Sequence, residues 1–163
     1  MIKAPPFILH YQNLILPKMN QKNDILLVED DLDDAELTIL GLKKNNLINE
    51  LLHFKRGQEV LDYVFATGIY SGRNINHVPK MIILDIKMPQ VGGLEVLDRI
   101  KSDKRTRIIP VVLLTSSQED KDIAEGYRLG ANSYIVKPVG FENFMKVISD
   151  IGLYWLLTNQ PPR

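Results

Sequence analysis

A chain of 163 residues, 45% of them apolar, suits one compact domain burying about 68–70% of the surface its unfolded form exposes, and needs no second domain. Twenty basic residues balance twenty acidic ones, so the long-range field that draws proteins to nucleic acid is missing and direct nucleic-acid binding is disfavoured. Without cysteine there are no disulfides, no thiolate catalysis and no Cys-type zinc site, which points to an intracellular, cytoplasmic protein.

Residues 1–23 read as an N-terminal extension. MIKAPPFILHYQNLILPK is apolar in flavour, but His10, Gln12 and Asn13 interrupt it and no A-x-A-like cleavage site follows, so neither a secretory signal nor a membrane span is expected. Met19 directly precedes the polar MNQKND lead-in, which makes it a candidate natural start. His10, His53 and His77 lie far apart, without paired metal-ligand spacing.

Five apolar runs of strand length follow, at 25–28, 51–54, 81–84, 109–114 and 133–136. They do not alternate, as expected of strands buried on both faces in a parallel sheet covered by helices. Amphipathic segments separate them. Leu32, Ala35, Ile39 and Leu42 share one helix face, and Val60, Leu61, Val64 and Phe65 the next. Leu94, Leu97, Ile100 and Lys101 continue the pattern, as do Ile123, Tyr127 and Leu129. The reading is βαβαβαβαβα, an α/β doubly wound five-stranded parallel sheet for which right-handed crossovers favour the order 2-1-3-4-5. Ligands of such sheets sit where strands 1 and 3 diverge.

GIYSGRNINHVP at 68–79 is a long loop before the third strand, and Pro89, Gly92 and Gly93 mark a turn after it. After Lys137-Pro138 the chain suffices for one helix and a short QPPR tail, so no appended output domain is expected. On that helix Phe141, Phe144, Ile148, Ile151 and Trp155 form an apolar stripe that suits packing on the sheet. Its LYWLL end is apolar all round and needs cover, which points to self-association or docking by the N-terminal segment.

Several of the strands end in polar groups. LLVEDD puts Glu29, Asp30 and Asp31 directly after the first strand, with Asp33 and Asp34 in the next turn. Capping and the helix dipole account for such acids on their own. Beside a further acid in the same crevice they become a magnesium site, since Mg²⁺ takes oxygen ligands and keeps several waters. Asp85 ends the third strand, Thr115 the fourth, and Lys137 follows the fifth. Each has an ordinary explanation: a turn-capping Asp, a helix-capping Thr, an exposed Lys. Together they form a phosphoryl-transfer set, in which a cation screens the acceptor carboxylate while a hydroxyl and an ammonium hold phosphoryl oxygens.

LLVEDD, IILDIKMP, VVLLTSS and ANSYIVKP, in that order over about 24–151, resemble the receiver domain of two-component response regulators. The long 68–79 loop and the PVGFENFMKVISDIGLYWL ending resemble the single-domain regulators that partner bacterial phytochromes and related sensor kinases. The resemblance implies the flavodoxin-like receiver fold, with 152–163 left as an extension of the fifth helix and a tail. It implies that Asp85 is the phospho-acceptor and that Glu29, Asp30, Asp85 and the carbonyl of Lys87 hold Mg²⁺. Thr115 and Lys137 would grip the phosphoryl oxygens, Tyr134 would be the aromatic whose rotamer reports phosphorylation, and the Lys137–Pro138 bond would be cis. Lys87 and Ser117 occupy the two variable positions that tune dephosphorylation in this family, and Lys87 could pair with Glu29 or compete with metal.

The expected protein is therefore a non-enzymatic switch. A sensor histidine kinase phosphorylates Asp85, which alters a face made of the fourth helix, fifth strand and fifth helix. That face, or the helix extension, binds a downstream protein or a second copy of the chain. A haloacid-dehalogenase-type phosphatase would need a second acid two residues after Asp85, where Lys87 stands. A flavodoxin-like FMN binder would need phosphate-cradling donors where EDDLDD stands. The remaining alternative is a pseudo-receiver that binds partners without phosphorylation.

Overall fold

The computed structural model describes residues 25–44 and 51–160. Five parallel strands, β1 (Ile25–Val28), β2 (Leu51–Phe54), β3 (Met81–Leu84), β4 (Val111–Thr115) and β5 (Ser133–Val136), lie in the order β2-β1-β3-β4-β5. Helices α1 (Leu32–Lys44), α2 (Gly57–Val64), α3 (Gly93–Ser102), α4 (Asp120–Arg128) and α5 (Phe141–Leu153) alternate with them. This is the doubly wound order expected from the sequence.

The non-alternating strands make sense in three dimensions. β1, β3 and β4 are fully buried, and their successive side chains enter two separate cores. Leu26, Val28, Ile82, Leu84, Val111 and Leu113 pack with Val60, Val64, Val96, Leu97 and Ile100 from α2 and α3. Ile25, Leu27, Met81, Ile83, Val112 and Leu114 pack with Ala35 and Leu42 of α1 and with Phe144, Ile148 and Ile151 of α5. Each core removes apolar surface from water at about 25 cal/mol per Å².

Local details depart from the expected pattern. β4 begins at Val111, two residues later than expected, because Pro110 has no N–H to donate to a ladder. Pro110 still accepts from Ile82 N through its carbonyl, at 2.9 Å. Leu32 is 54% exposed, and Thr38 takes a place on the buried face of α1. The Thr38 hydroxyl can be buried because it donates to Asp34 O at 2.8 Å. Tyr127 is 53% exposed, and Gly126 stands on the inner face of α4. A Cβ at Gly126 would approach Leu113 Cδ1 at 2.8 Å and the Tyr134 ring at 3.2 Å, so a larger residue there would push the helix off the sheet.

The 68–79 segment is tied down. After a 3₁₀ turn at Gly68–Tyr70, the Arg73 guanidinium donates to Tyr63 O at 3.1 Å and lies 4.2 Å over the Tyr63 ring. At the other end, Phe141 is exposed rather than part of the buried stripe, while Phe144, Ile148 and Ile151 are buried. Helix α5 runs on into a single π turn, Tyr154–Thr158, with Asn159 N donating to Tyr154 O at 2.7 Å. Leu153, Tyr154 and Leu157 are exposed. The expectations for residues 1–24, a Met19 start and docking of the N-terminal segment onto this end, lie outside the described residues, as does most of the QPPR tail.

Candidate functional site

Main-chain bonds carry the ladder one step beyond the strands and set the geometry of the site. Asp85 N donates to Val28 O at 3.0 Å, Glu29 N to Phe54 O at 3.0 Å and Lys137 N to Thr115 O at 2.8 Å. Neighbouring strands therefore deliver Glu29, Asp85, Thr115 and Lys137 to one edge of the sheet, at the crevice between β1 and β3.

Glu29, Asp30 and Asp85 converge so closely that one carboxylate oxygen from each lies within 4.8 Å of the others. Two of the three are buried, Glu29 at 3% and Asp85 at 6% exposure. Three carboxylates at this spacing repel one another, and hard oxygen donors of this kind suit a divalent cation such as Mg²⁺. Lys137 Nζ supplies compensating charge. It donates to Glu29 Oε2 at 2.8 Å and Asp34 Oδ2 at 2.7 Å, and stands 3.6 Å from Asp85 Oδ2. Burial pushes the Glu29 carboxyl up to about 7, against the Lys137 hydrogen bond that lowers it and with the Asp85 charge that adds to the rise. Despite its own burial, Lys137 is held protonated by the hydrogen bonds it donates to Asp34 and Glu29.

His53, on the edge strand β2, is placed by a bond between its Nε2 and Glu29 O at 2.8 Å. Burial lowers its pKa from the ordinary histidine value, and against a carbonyl oxygen Nε2 is the donor. The histidine thus orients the Glu29 main chain and takes no part in the acidic cluster.

The turn after β3 brings its own constraint. Asp85 Oδ1 accepts from Ile86 N at 2.7 Å, and Gly93 N donates to Ile86 O at 3.0 Å. A Cβ on Gly93 would lie 2.0 Å from Asp85 O and 2.8 Å from Asp85 C, both main-chain atoms that cannot swing away. Gly93→Ala is expected to destabilise the protein by about 2 kcal/mol and to displace the Asp85 carboxylate. Urea unfolding together with a Mg²⁺ titration checks both effects; wild-type stability would refute the steric account.

Thr115 is fully buried, with its Oγ1 accepting from Ser117 N at 3.3 Å. It does not cap α4, whose N-cap is Glu119. The Tyr134 hydroxyl donates to Ser117 O at 3.1 Å, and burial raises its pKa. Two expectations need correction. Every peptide bond among the described residues is trans, Lys137–Pro138 included. The isomers of an X-Pro bond differ by only about 0.5–1 kcal/mol, and the long lysine stem brings Nζ to the carboxylates from the trans form. The Lys87 side chain pairs with Asp122 Oδ2 at 3.3 Å and Glu119 Oε1 at 3.7 Å rather than with Glu29. The sequence reading also missed two partners, Asp34 on Lys137 and Asp122 on Lys87. The acidic run after β1 hinted at the first, whereas the second needs the packing of α4 against the site.

Comparison with known proteins supplies independent context. Residues 25–149 match the response regulator receiver domain family. The chain is 32% identical over 139 residues to the response regulator Rcp1 of Synechocystis, covering 85% of this chain and 92% of Rcp1. The Mn²⁺-bound crystal structure of Rcp1 superposes with a TM-score of 0.79 over 86% of this chain and 99% of that one. The phosphorylated cyanobacterial phytochrome response regulator RcpA gives a TM-score of 0.80 at 33% identity, over 86% and 99% of the two chains. The bacteriophytochrome response regulator RtBRR is 46% identical, with a TM-score of 0.68 over 86% and 84%.

Proposed function

This chain belongs to the response regulator receiver family, and from that premise we propose that Asp85 accepts a phosphoryl group from the phosphohistidine of a sensor kinase. One observation carries the reading: the Glu29, Asp30 and Asp85 oxygens lie within 4.8 Å of one another, with the Lys137 ammonium beside them. In the proposed step an Asp85 carboxylate oxygen bonds to phosphorus as the P–N bond to imidazole breaks, and the imidazole keeps the electron pair. Glu29, Asp30, Asp85 and the Lys87 carbonyl would hold Mg²⁺, which when bound screens the acceptor from the incoming phosphoryl charge. Lys137 would neutralise a phosphoryl oxygen and Thr115 would donate its hydroxyl to another.

Thr115 is also the residue through which the change would spread. A hydroxyl turned toward a phosphoryl oxygen gives up its bond from Ser117 N, and Ser117 O holds the Tyr134 hydroxyl. Tyr134 would then turn inward, biasing the face built by α4, β5 and α5. Beside β5 and α5, Ser133, Ile135, Val147, Ile151, Tyr154 and Trp155 line a groove of about 350 Å³, which suits a second copy of the chain or a downstream protein.

RcpA and RtBRR are phytochrome regulators, which supports a phytochrome-like sensor kinase as the donor, and a chain without cysteine suits a cytoplasmic setting. No helix of the described residues is long and apolar enough to cross a membrane. Residues 24–151 would form the receiver unit, with 1–23 an extension and 152–163 the end of the last helix and tail. The complete set of acceptor, acids, hydroxyl and lysine weighs against a phosphorylation-independent pseudo-receiver.

Beryllofluoride with Mg²⁺ tests the reading, because the adduct it forms on an acceptor carboxylate stands in for the phosphoryl group. The expected result is a shift of the Thr115 and Tyr134 nuclear magnetic resonances that requires both components. Spectra unmoved by the pair would refute the phospho-switch.

A further inference from the structure

Asp122, in the first turn of α4, is buried although it carries a charge. Two groups converge on a single oxygen of it: Ser117 Oγ donates to Oδ2 at 2.5 Å, and Lys87 Nζ stands 3.3 Å from the same atom. Lys87 is two residues beyond the proposed acceptor and Ser117 two residues beyond Thr115. One carboxylate on α4 therefore anchors both loops that frame the site.

The acidic cluster offers the Lys87 ammonium an alternative destination, since Lys87 lies two residues along the chain from Asp85. Glu29, Asp30, Asp34 and Asp85 set four carboxylates against the single Lys137 ammonium. A second flexible cation released beside such a cluster is drawn to its negative potential. Glu119 does not hold it strongly, since that pair spans 3.7 Å and both side chains are about half exposed.

We propose that Asp122 is a positioning residue that parks the Lys87 ammonium outside the acidic cluster and links its parked position to helix α4. Movement of α4 that carries Asp122 away frees Lys87 to enter the cluster and compete with a divalent cation. By reciprocity, a cation bound among the acids favours the arrangement in which Lys87 stays on Asp122. This inference rests on the acceptor-site reading and adds a route between cation site and α4 that bypasses Thr115 and Tyr134.

Calorimetric titration with Mg²⁺ of the full chain, Asp122→Asn, Lys87→Ala and the double variant tests it. Asparagine keeps an oxygen for Ser117 but cannot hold the ammonium by charge. Asp122→Asn is expected to weaken Mg²⁺ binding about three- to tenfold. Lys87→Ala keeps the main-chain carbonyl and removes only the ammonium, so it should bind Mg²⁺ more tightly than Asp122→Asn, and the double variant should match Lys87→Ala. Weakening of equal size with and without Lys87 would mean that Asp122 acts only through the shape of α4, and unchanged affinity in Asp122→Asn would also overturn the proposal. If Asp122→Asn fails to fold, Asp122→Ser, whose hydroxyl suits a first helical turn, repeats the comparison. A wild-type protein that ignores Mg²⁺ overturns the acceptor-site reading, and this inference with it, before any variant is compared.

Discussion

Asp85→Asn is expected to form no acyl phosphate, with either a sensor kinase or a small phosphodonor, while remaining folded and gaining about 1 kcal/mol of stability. The two effects have one cause. The carboxylate that would act as nucleophile is buried beside Glu29 and Asp30, where like charges raise the free energy of the folded state. The amide keeps an oxygen for Ile86 N, which now bonds Asp85 Oδ1 at 2.7 Å, so the turn after β3 is preserved. Intact-protein mass after phosphodonor treatment reads the first effect and thermal unfolding the second. Loss of phosphorylation together with loss of fold would leave no support for a chemical role, and continued phosphorylation would move the acceptor elsewhere.

The second large effect is expected at Lys137, and it depends on pH. Lys137→Met keeps the length of the stem but removes the ammonium that contacts Glu29, Asp34 and Asp85. Breaking a buried charge pair from one side costs about 3 kcal/mol, because the partner is left uncompensated. Glu29 moderates that cost in acid. Its folded pKa is raised from 4.5 to about 7, so the folded state binds the extra proton in that window. The associated stability is present below the unfolded value and is lost as pH rises through the folded one. Without Lys137 the Glu29 pKa rises further, so the variant should lose about 3 kcal/mol near pH 8 and only about 1 kcal/mol near pH 5. Phosphoryl acceptance should fall about a hundredfold at the higher pH. Urea titrations at the two pH values decide the matter, and a pH-independent loss would contradict the burial argument for Glu29.

Much of this architecture was legible in the residues because the strands are buried on both faces. Non-alternating runs such as ILLV and MIIL can satisfy only a covered parallel sheet, and the strand order then places their polar ends together. What periodicity could not resolve were positions decided by a contact from another element. Leu32 fits an apolar helix face by spacing, yet that stretch of α1 turns toward solvent and its inner face uses Thr38. Tyr127 fits the face of α4, yet the close approach of Leu113 and the Tyr134 ring leaves room there only for Gly126. The partner of Lys87 was hidden for the same reason, since Asp122 is 35 positions distant in the chain and reaches it only through packing.

Among the five α-helices of the described residues, α4 is the most lightly ballasted. The inner face of α3 sinks Val96, Leu97 and Ile100 into the core, whereas the buried residues of α4 are an aspartate and a glycine. Apolar burial is what makes a helix costly to displace, so α4 rides on the sheet with little hydrophobic anchorage and is fixed largely by polar bonds at its first turn. A single added charge at the strand ends can outweigh polar bonds of that size, whereas it could not dislodge three buried aliphatic side chains. Under the proposed phospho-switch, a small electrostatic input at the strand ends would meet in α4 the helix least anchored against it, while the apolar mass of α3 stays in place.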